Sequence, residues 1–216
     1  MNEKIERRFT GPGEHVQVRA AEADGAKRIS GYAAVFYDGT QNTEYPLWDD
    51  LVERISPGAF NAVLDADCRC LFNHESDKVL GRTKAKTCRL SADAVGLAYE
   101  NDMPDSSWGN DVYEAVRRGD VSGSSFAFIP SKVLWSQEER DGKKIDVRTI
   151  MEVSALYDVG PVTYPAYEAT TASVRSREEL AAERDGQKSN DTVPDYETEK
   201  RVCELEIKKR ISRCLK

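Results

Sequence analysis

Arg118-Gly-Asp-Val-Ser-Gly-Ser-Ser-Phe-Ala-Phe-Ile-Pro130 sets Ser122, Ser124 and Ser125 at the mouth of an apolar strand. Phe126 and Phe128 fall on one face, and the period of two sends Ser125, Ala127 and Ile129 to the other. Two rings anchored on one side fix the strand, and with it the Ser125 hydroxyl. A serine nucleophile needs a base. The chain has 2 histidines, His15 in a polar N-terminal segment and His74 in Leu71-Phe-Asn-His-Glu75. A carboxylate able to orient an imidazole is available in Ile150-Met-Glu-Val-Ser-Ala-Leu-Tyr-Asp-Val159, where strand geometry gives Glu152, Ser154, Leu156 and Asp158 a shared face.

Working outward, Ser106 to Arg118 reads as a helix that delivers the chain to the serine strand. Val112 and Val116 lie one turn apart, Arg117 and Arg118 occupy the last turn, and Gly119 is the stop. Downstream, Gln137-Glu-Glu-Arg-Asp-Gly-Lys-Lys144 reads as a hairpin tip between the serine strand and a strand resuming at Ile145. Pro161-Val-Thr-Tyr-Pro-Ala-Tyr167 ends the strands, with Tyr164-Pro165 a candidate cis bond and trans the default. Upstream, Val16-Gln-Val-Arg and Ile29 to Phe36 flank an Asp-Gly turn signal and predict an opening hairpin. Ile55 to Leu64 predicts a short helix, with Ser56 as cap, Pro57 in its first position, and Phe60, Val63 and Leu64 on one face. Cys68 to His74, Val79 to Arg82 and Gly96 to Tyr99 read as further strands, which leaves His74 at a strand end.

The expected organisation is a flexible N-terminal segment over 1–15, one domain over 16–174, and a charged linker with an amphipathic helical tail over 175–216. Gly186 to Asp191 reads as linker. In the tail, Cys203, Ile207, Ile211 and Cys214 form one apolar stripe that can pack back on the domain, pair with a protein, or lie on a membrane surface. A net charge of −7 gives no basic excess suited to DNA phosphates, so no nucleic-acid partner is expected. No apolar run approaches the roughly 20 residues of a membrane span, and Met1 to Arg8 lacks the apolar core of a signal peptide. The expectation is a cytoplasmic protein with no membrane association. The 5 cysteines show no paired CxxC spacing and are expected to be reduced thiols rather than metal ligands.

Taken from spacing alone, His74, Ser125 and Asp158 have bland readings beside the catalytic one. His74 can be a hydrogen-bonded structural histidine, Ser125 a small residue that permits close packing, and Asp158 and Glu152 solvated strand charges. Gly123-Ser-Ser-Phe-Ala127 is not a Gly-x-Ser-x-Gly elbow, which disfavours an α/β-hydrolase.

Five blocks together are more specific. They are Gly31 to Phe36, Glu53 to Phe60, Asn73-His74 with Val79-Leu-Gly-Arg-Thr83, Arg118 to Phe128, and Asp158 to Tyr167. In this order they resemble the prohead protease family of tailed bacteriophages, over about Ile29 to Val174. The resemblance implies an α+β, mainly β fold: an assemblin-like β-barrel with flanking short helices. It implies a serine endopeptidase with His74, Ser125 and Asp158 as catalytic residues and Glu152 as the other candidate for the third position. Ser124 adjoins the chosen serine. No cofactor or metal is implied. The implied substrates are scaffold and major capsid protein segments, and the chain itself, within the immature capsid in the host cytoplasm. A homodimer is also implied, since assemblin-like enzymes order their sites by dimerisation. The alternative from another class is a catalytically silent capsid assembly or scaffolding protein. An esterase-type hydrolase is a further rival.

Overall fold

β-branched and aromatic residues alternating with polar ones make strands the dominant element, and the strands sort into two sheets. The computed structural model describes residues 4–10, 18–23, 25–164 and 176–188. In chain order these form β1 (Glu6–Thr10), β2 (Arg19–Ala23), β3 (Ala26–Val35), a 3-10 turn (Gln41–Thr43), β4 (Tyr45–Trp48) and β5 (Leu51–Ile55). There follow β6 (Arg69–Leu71), β7 (Val79–Arg82), β8 (Cys88–Ala92), β9 (Gly96–Asp102), α1 (Ser107–Arg118), β10 (Gly123–Arg140), β11 (Lys143–Val162) and α2 (Arg177–Lys188). The class is α+β, mainly β.

The larger sheet runs β1-β10-β11-β5-β4, with β6 paired to β11 and β7 to β6; the smaller runs β2-β3-β9-β8. Both are open, so the expected barrel is not closed. The reason lies in β11, which is 20 residues long and pairs with β10 along one edge. Its other edge is divided, carrying β5 at Asp146–Ile150 and β6 at Asp158–Val159, and this branching replaces closure. The sheet still curls enough for Arg8 on β1 to donate to Glu53 on β5 at 2.6 Å, although β10 and β11 separate their strands.

The opening hairpin forms as β2 and β3, with Val16, Gln17 and Asp24 outside the described residues. The long hairpin turns at Asp141-Gly142, both in the left-handed region (φ 50° and 73°), as a two-residue connection requires. Ser106 caps α1 by accepting from the Gly109 amide, and Gly119 ends it at φ 82°. The main core lies between the sheets, where the Phe126 ring stacks on Phe128 and meets Phe60 edge-on, with Phe60 stacked on Phe36.

Three expectations are corrected. Ile55 to Leu64 is not a regular helix but a run of turns, with Ala59 bonded back to Ser56, Asn61 to Gly58 and Val63 to Phe60. Gly58, at φ 90°, breaks helical geometry just after Pro57, while Phe60 and Val63 still reach the core. Residues 6–10, read as flexible, form β1 with Glu6, Arg8 and Thr10 buried. The charged run after Arg175 contains α2, which seats a fully buried Leu180 against Leu51 and Trp135. Gly186 to Lys188 of the expected linker lie within this helix. The remaining linker, the tail stripe and Pro165 lie outside the described residues.

Candidate active site

Strand register assembles one face of the site. Phe9 of β1 pairs with Ser125 of β10, which pairs with Gly160 of β11. The next row is Arg7, Ala127 and Asp158. Directly opposed residues share a face, so Ser125 and Asp158 lie on one surface of the sheet with small residues between them. His74 arrives from outside the sheet, on the turn that follows β6. Gly160 allows this approach, because a Cβ there would stand 2.0 Å from the Leu71 carbonyl oxygen.

The His74 ring bridges the two rows. Its Nδ1 lies 2.5 Å from Asp158 Oδ1, and its Nε2 is in hydrogen-bond contact with Ser125 Oγ. A carboxylate can only accept here, so Nδ1 carries the proton and Nε2 is left as the base facing the hydroxyl. Ser125 Oγ is also 2.9 Å from the Arg8 carbonyl, giving its single proton two acceptors. Phe9 packs edge-on against the His74 ring at 6.0 Å. The site is enclosed: Ser125 has 0% exposure, and the His74 and Asp158 side chains only 9% and 10%.

Ser124 faces the other way. Its Oγ lies 3.1 Å from the Tyr99 hydroxyl, in the layer between the sheets. Burial pushes the Tyr99 phenol well above its ordinary value, so that contact is a neutral hydrogen bond. Leu156, unlike Glu152, departs from the strict-alternation reading. Ala127 pairs with Asp158 and Phe128 with Leu156, so Tyr157 is an extra residue, 42% exposed. This bulge puts Leu156 in the core with Val153 and Val159, while Glu152 is exposed opposite Lys132. His15 lies outside the described residues.

The structure therefore brings His74, Ser125 and Asp158 together and leaves Ser124 and Glu152 apart from them. Sequence reading missed the contribution of β1, whose Arg8 carbonyl and Phe9 ring border the serine. The only signal for it was the β-prone Phe9-Thr10 pair at the end of a charged run. Among the described residues no group of three or more His, Cys, Asp or Glu side chains is placed to hold a metal ion. The arrangement can do one kind of chemistry well: remove a proton from a serine hydroxyl and return it to a leaving group.

Compared with known families, residues 14–184 match the family described as Caudovirus prohead serine protease. That span takes in His74, Ser125 and Asp158 and begins after β1. No match is found among curated proteins or solved structures.

Proposed function

This chain belongs to the caudovirus prohead serine protease family, and on that premise we propose that it cuts segments of scaffold and major capsid protein inside the immature capsid, using Ser125 as nucleophile. In the first half-reaction Ser125 Oγ attacks the peptide carbonyl carbon as its proton passes to His74 Nε2. The tetrahedral intermediate then collapses, that proton goes to the leaving amine, and an acyl-serine ester remains. Water, deprotonated by the same nitrogen, attacks the ester and releases the acid, returning the proton to Ser125. Asp158 holds the Nδ1 proton throughout and stabilises the imidazolium that forms. The observation that supports this reading is the bridging of Ser125 and Asp158 by the two ring nitrogens of His74.

The enclosure of Ser125 bears on when the enzyme acts. With Ser125 at 0% exposure its hydroxyl is not open to a peptide in this conformation, so activity is expected to depend on association with the assembling shell or with a second copy. Self-cleavage is expected beyond Lys188 rather than within α2. A protease takes its substrate extended, and α2 is helical and anchored by Leu180. The same enclosure is the one observation that favours a catalytically silent assembly protein.

Intact-mass measurement of wild-type and Ser125→Ala protein, alone and with coat and scaffold, separates the two readings. Discrete products from wild type and none from the variant are expected. Equal products, or none from wild type in the assembled mixture, would overturn the protease reading.

A further inference from the structure

The turn that carries His74 has two successive left-handed residues, is closed by the Glu75 amide donating to the Phe72 carbonyl at 3.0 Å, and is tied to Thr163 through one side chain. Asn73 and His74 both occupy the left-handed region, at φ 54° and 60°. Asparagine and histidine are among the side chains that adopt it most often, yet two such residues in succession persist only where surrounding contacts enforce them. Here the enforcing contacts come from Asn73. Its Oδ1 accepts from the Thr163 amide at 2.9 Å, its Nδ2 donates to Thr163 Oγ1 at 3.2 Å, and its own amide donates to the Pro161 carbonyl at 3.1 Å. Pro161 and Thr163 lie just beyond Asp158 on the same stretch of chain. The carboxamide thus joins the turn bearing the base to the strand bearing the carboxylate.

We infer that Asn73 is a positioning residue: its clamp on Thr163 sets the His74 ring between Asp158 and Ser125. The inference rests on the proposed catalytic roles of those three residues. Asn73 touches neither substrate nor reacting atoms and acts through the angle at which His74 leaves the turn. Misplacement of a catalytic group by about 1 Å costs on the order of 100-fold in rate.

The test uses full-length Asn73→Gly, Asn73→Asp and Thr163→Val proteins with coat and scaffold as substrate. Glycine keeps the left-handed backbone accessible and deletes the clamp, while aspartate keeps an acceptor for the Thr163 amide. Asn73→Gly is expected to lose on the order of 10- to 100-fold in kcat with KM little changed. Thr163→Val should lose less, and Asn73→Asp should recover most of the rate. The downfield proton signal of the His74 Nδ1–H shared with Asp158, read by NMR without substrate, should be present in wild type and lost in Asn73→Gly. Wild-type kcat and an intact signal in Asn73→Gly would overturn the inference. So would a fall in melting temperature with kcat per folded molecule unchanged, which marks a purely structural role. Failure of the catalytic reading itself looks different: wild type and Ser125→Ala would be equally inactive, and the signal would still report whether the clamp sets the ring.

Discussion

The two faces of the β1–β10–β11 ribbon carry opposite kinds of polar chemistry. On the face proposed to be catalytic, hydrogen bonds link Ser125, His74 and Asp158 above a floor of Ala127 and Gly160. On the other face, Glu6 and Arg8 of β1 turn inward beside Phe126 and Phe128 and meet Glu53 and Arg148. Those four are buried to 3% exposure or less, and Arg148 reaches on to Glu183 of α2 at 3.0 Å. The pKa values of Arg8 and Arg148 are raised: burial works against each charge, and Glu53, then Glu6, outweighs it. Charges locked to one another fix where strands lie and have no proton to give. The proposed chemistry sits where a hydroxyl and an imidazole are left to exchange one.

Substitutions that preserve shape should separate the faces. Asp158→Asn keeps the volume but offers Nδ1 the wrong partner, and kcat/KM should fall on the order of 10⁴-fold with little change in melting temperature. Arg148→Met should do the reverse. It leaves Glu6 and Glu53 short of a partner in the interior, a loss of about 3–5 kcal/mol in unfolding free energy, while turnover per folded molecule holds. Denaturant titrations paired with cleavage assays on both variants give the comparison. A large stability loss in Asp158→Asn, or an inactive but stable Arg148→Met, would break it.

Gly160 should respond on both measures, because it pairs with Ser125 yet its role is packing. A methyl at Gly160 would meet the Leu71 carbonyl 2.0 Å away, backbone against side chain, and β6 must shift to relieve it. Gly160→Ala is expected to cost about 1–3 kcal/mol as an overpacked site, and to lower kcat as the turn after β6 moves His74. Wild-type activity in that variant would show that β6 can move without the base.

What was legible in the sequence follows the same division. α1 could be bounded because Ser106 and Gly119 act locally, through a side-chain cap and a left-handed stop. The serine strand and its hairpin partner were visible through the two phenylalanines and the Asp141-Gly142 tip. His74 and Ser125 could be named because histidine is scarce and the blocks around both resemble a known family. The ionic face was invisible: Glu6, Arg8 and Glu183 look like solvated charges until partners 35 or more residues away are known, as with Arg148 and Glu183. α2 has one apolar anchor, Leu180, in a run that otherwise reads as linker. Register shifts along β10 and β11 defeat any strict period of two and turn Leu156 into the core, while Glu152, read as the other candidate beside Asp158, is set apart by its place opposite Lys132 rather than Ala127. Closure into a barrel depends on how β11 divides its edge, and no local pattern encodes that.

Exposed charges offer the mildest test of the contrast between ions and chemistry. On the smaller sheet Arg89 reaches Glu100 at 2.6 Å and Asp102 at 2.8 Å, with all three side chains a third or more exposed. The Arg89 hydrogen bond, helped by Arg28, holds the Asp102 carboxyl at about 2 against an ordinary value of 3.8. A folded-state value below the unfolded one means that the unfolded chain takes up the proton first as pH falls. The contribution is therefore complete above the ordinary carboxylate range and is lost as pH drops toward 2. Arg89→Ala should cost no more than about 1 kcal/mol near neutrality, as solvent screens such pairs. Its deficit relative to wild type should shrink steadily below pH 4 in acid-unfolding curves. A neutral-pH loss as large as that of Arg148→Met would mean that burial is not what distinguishes the ionic face, and the contrast drawn from it would have to rest on the number of partners instead.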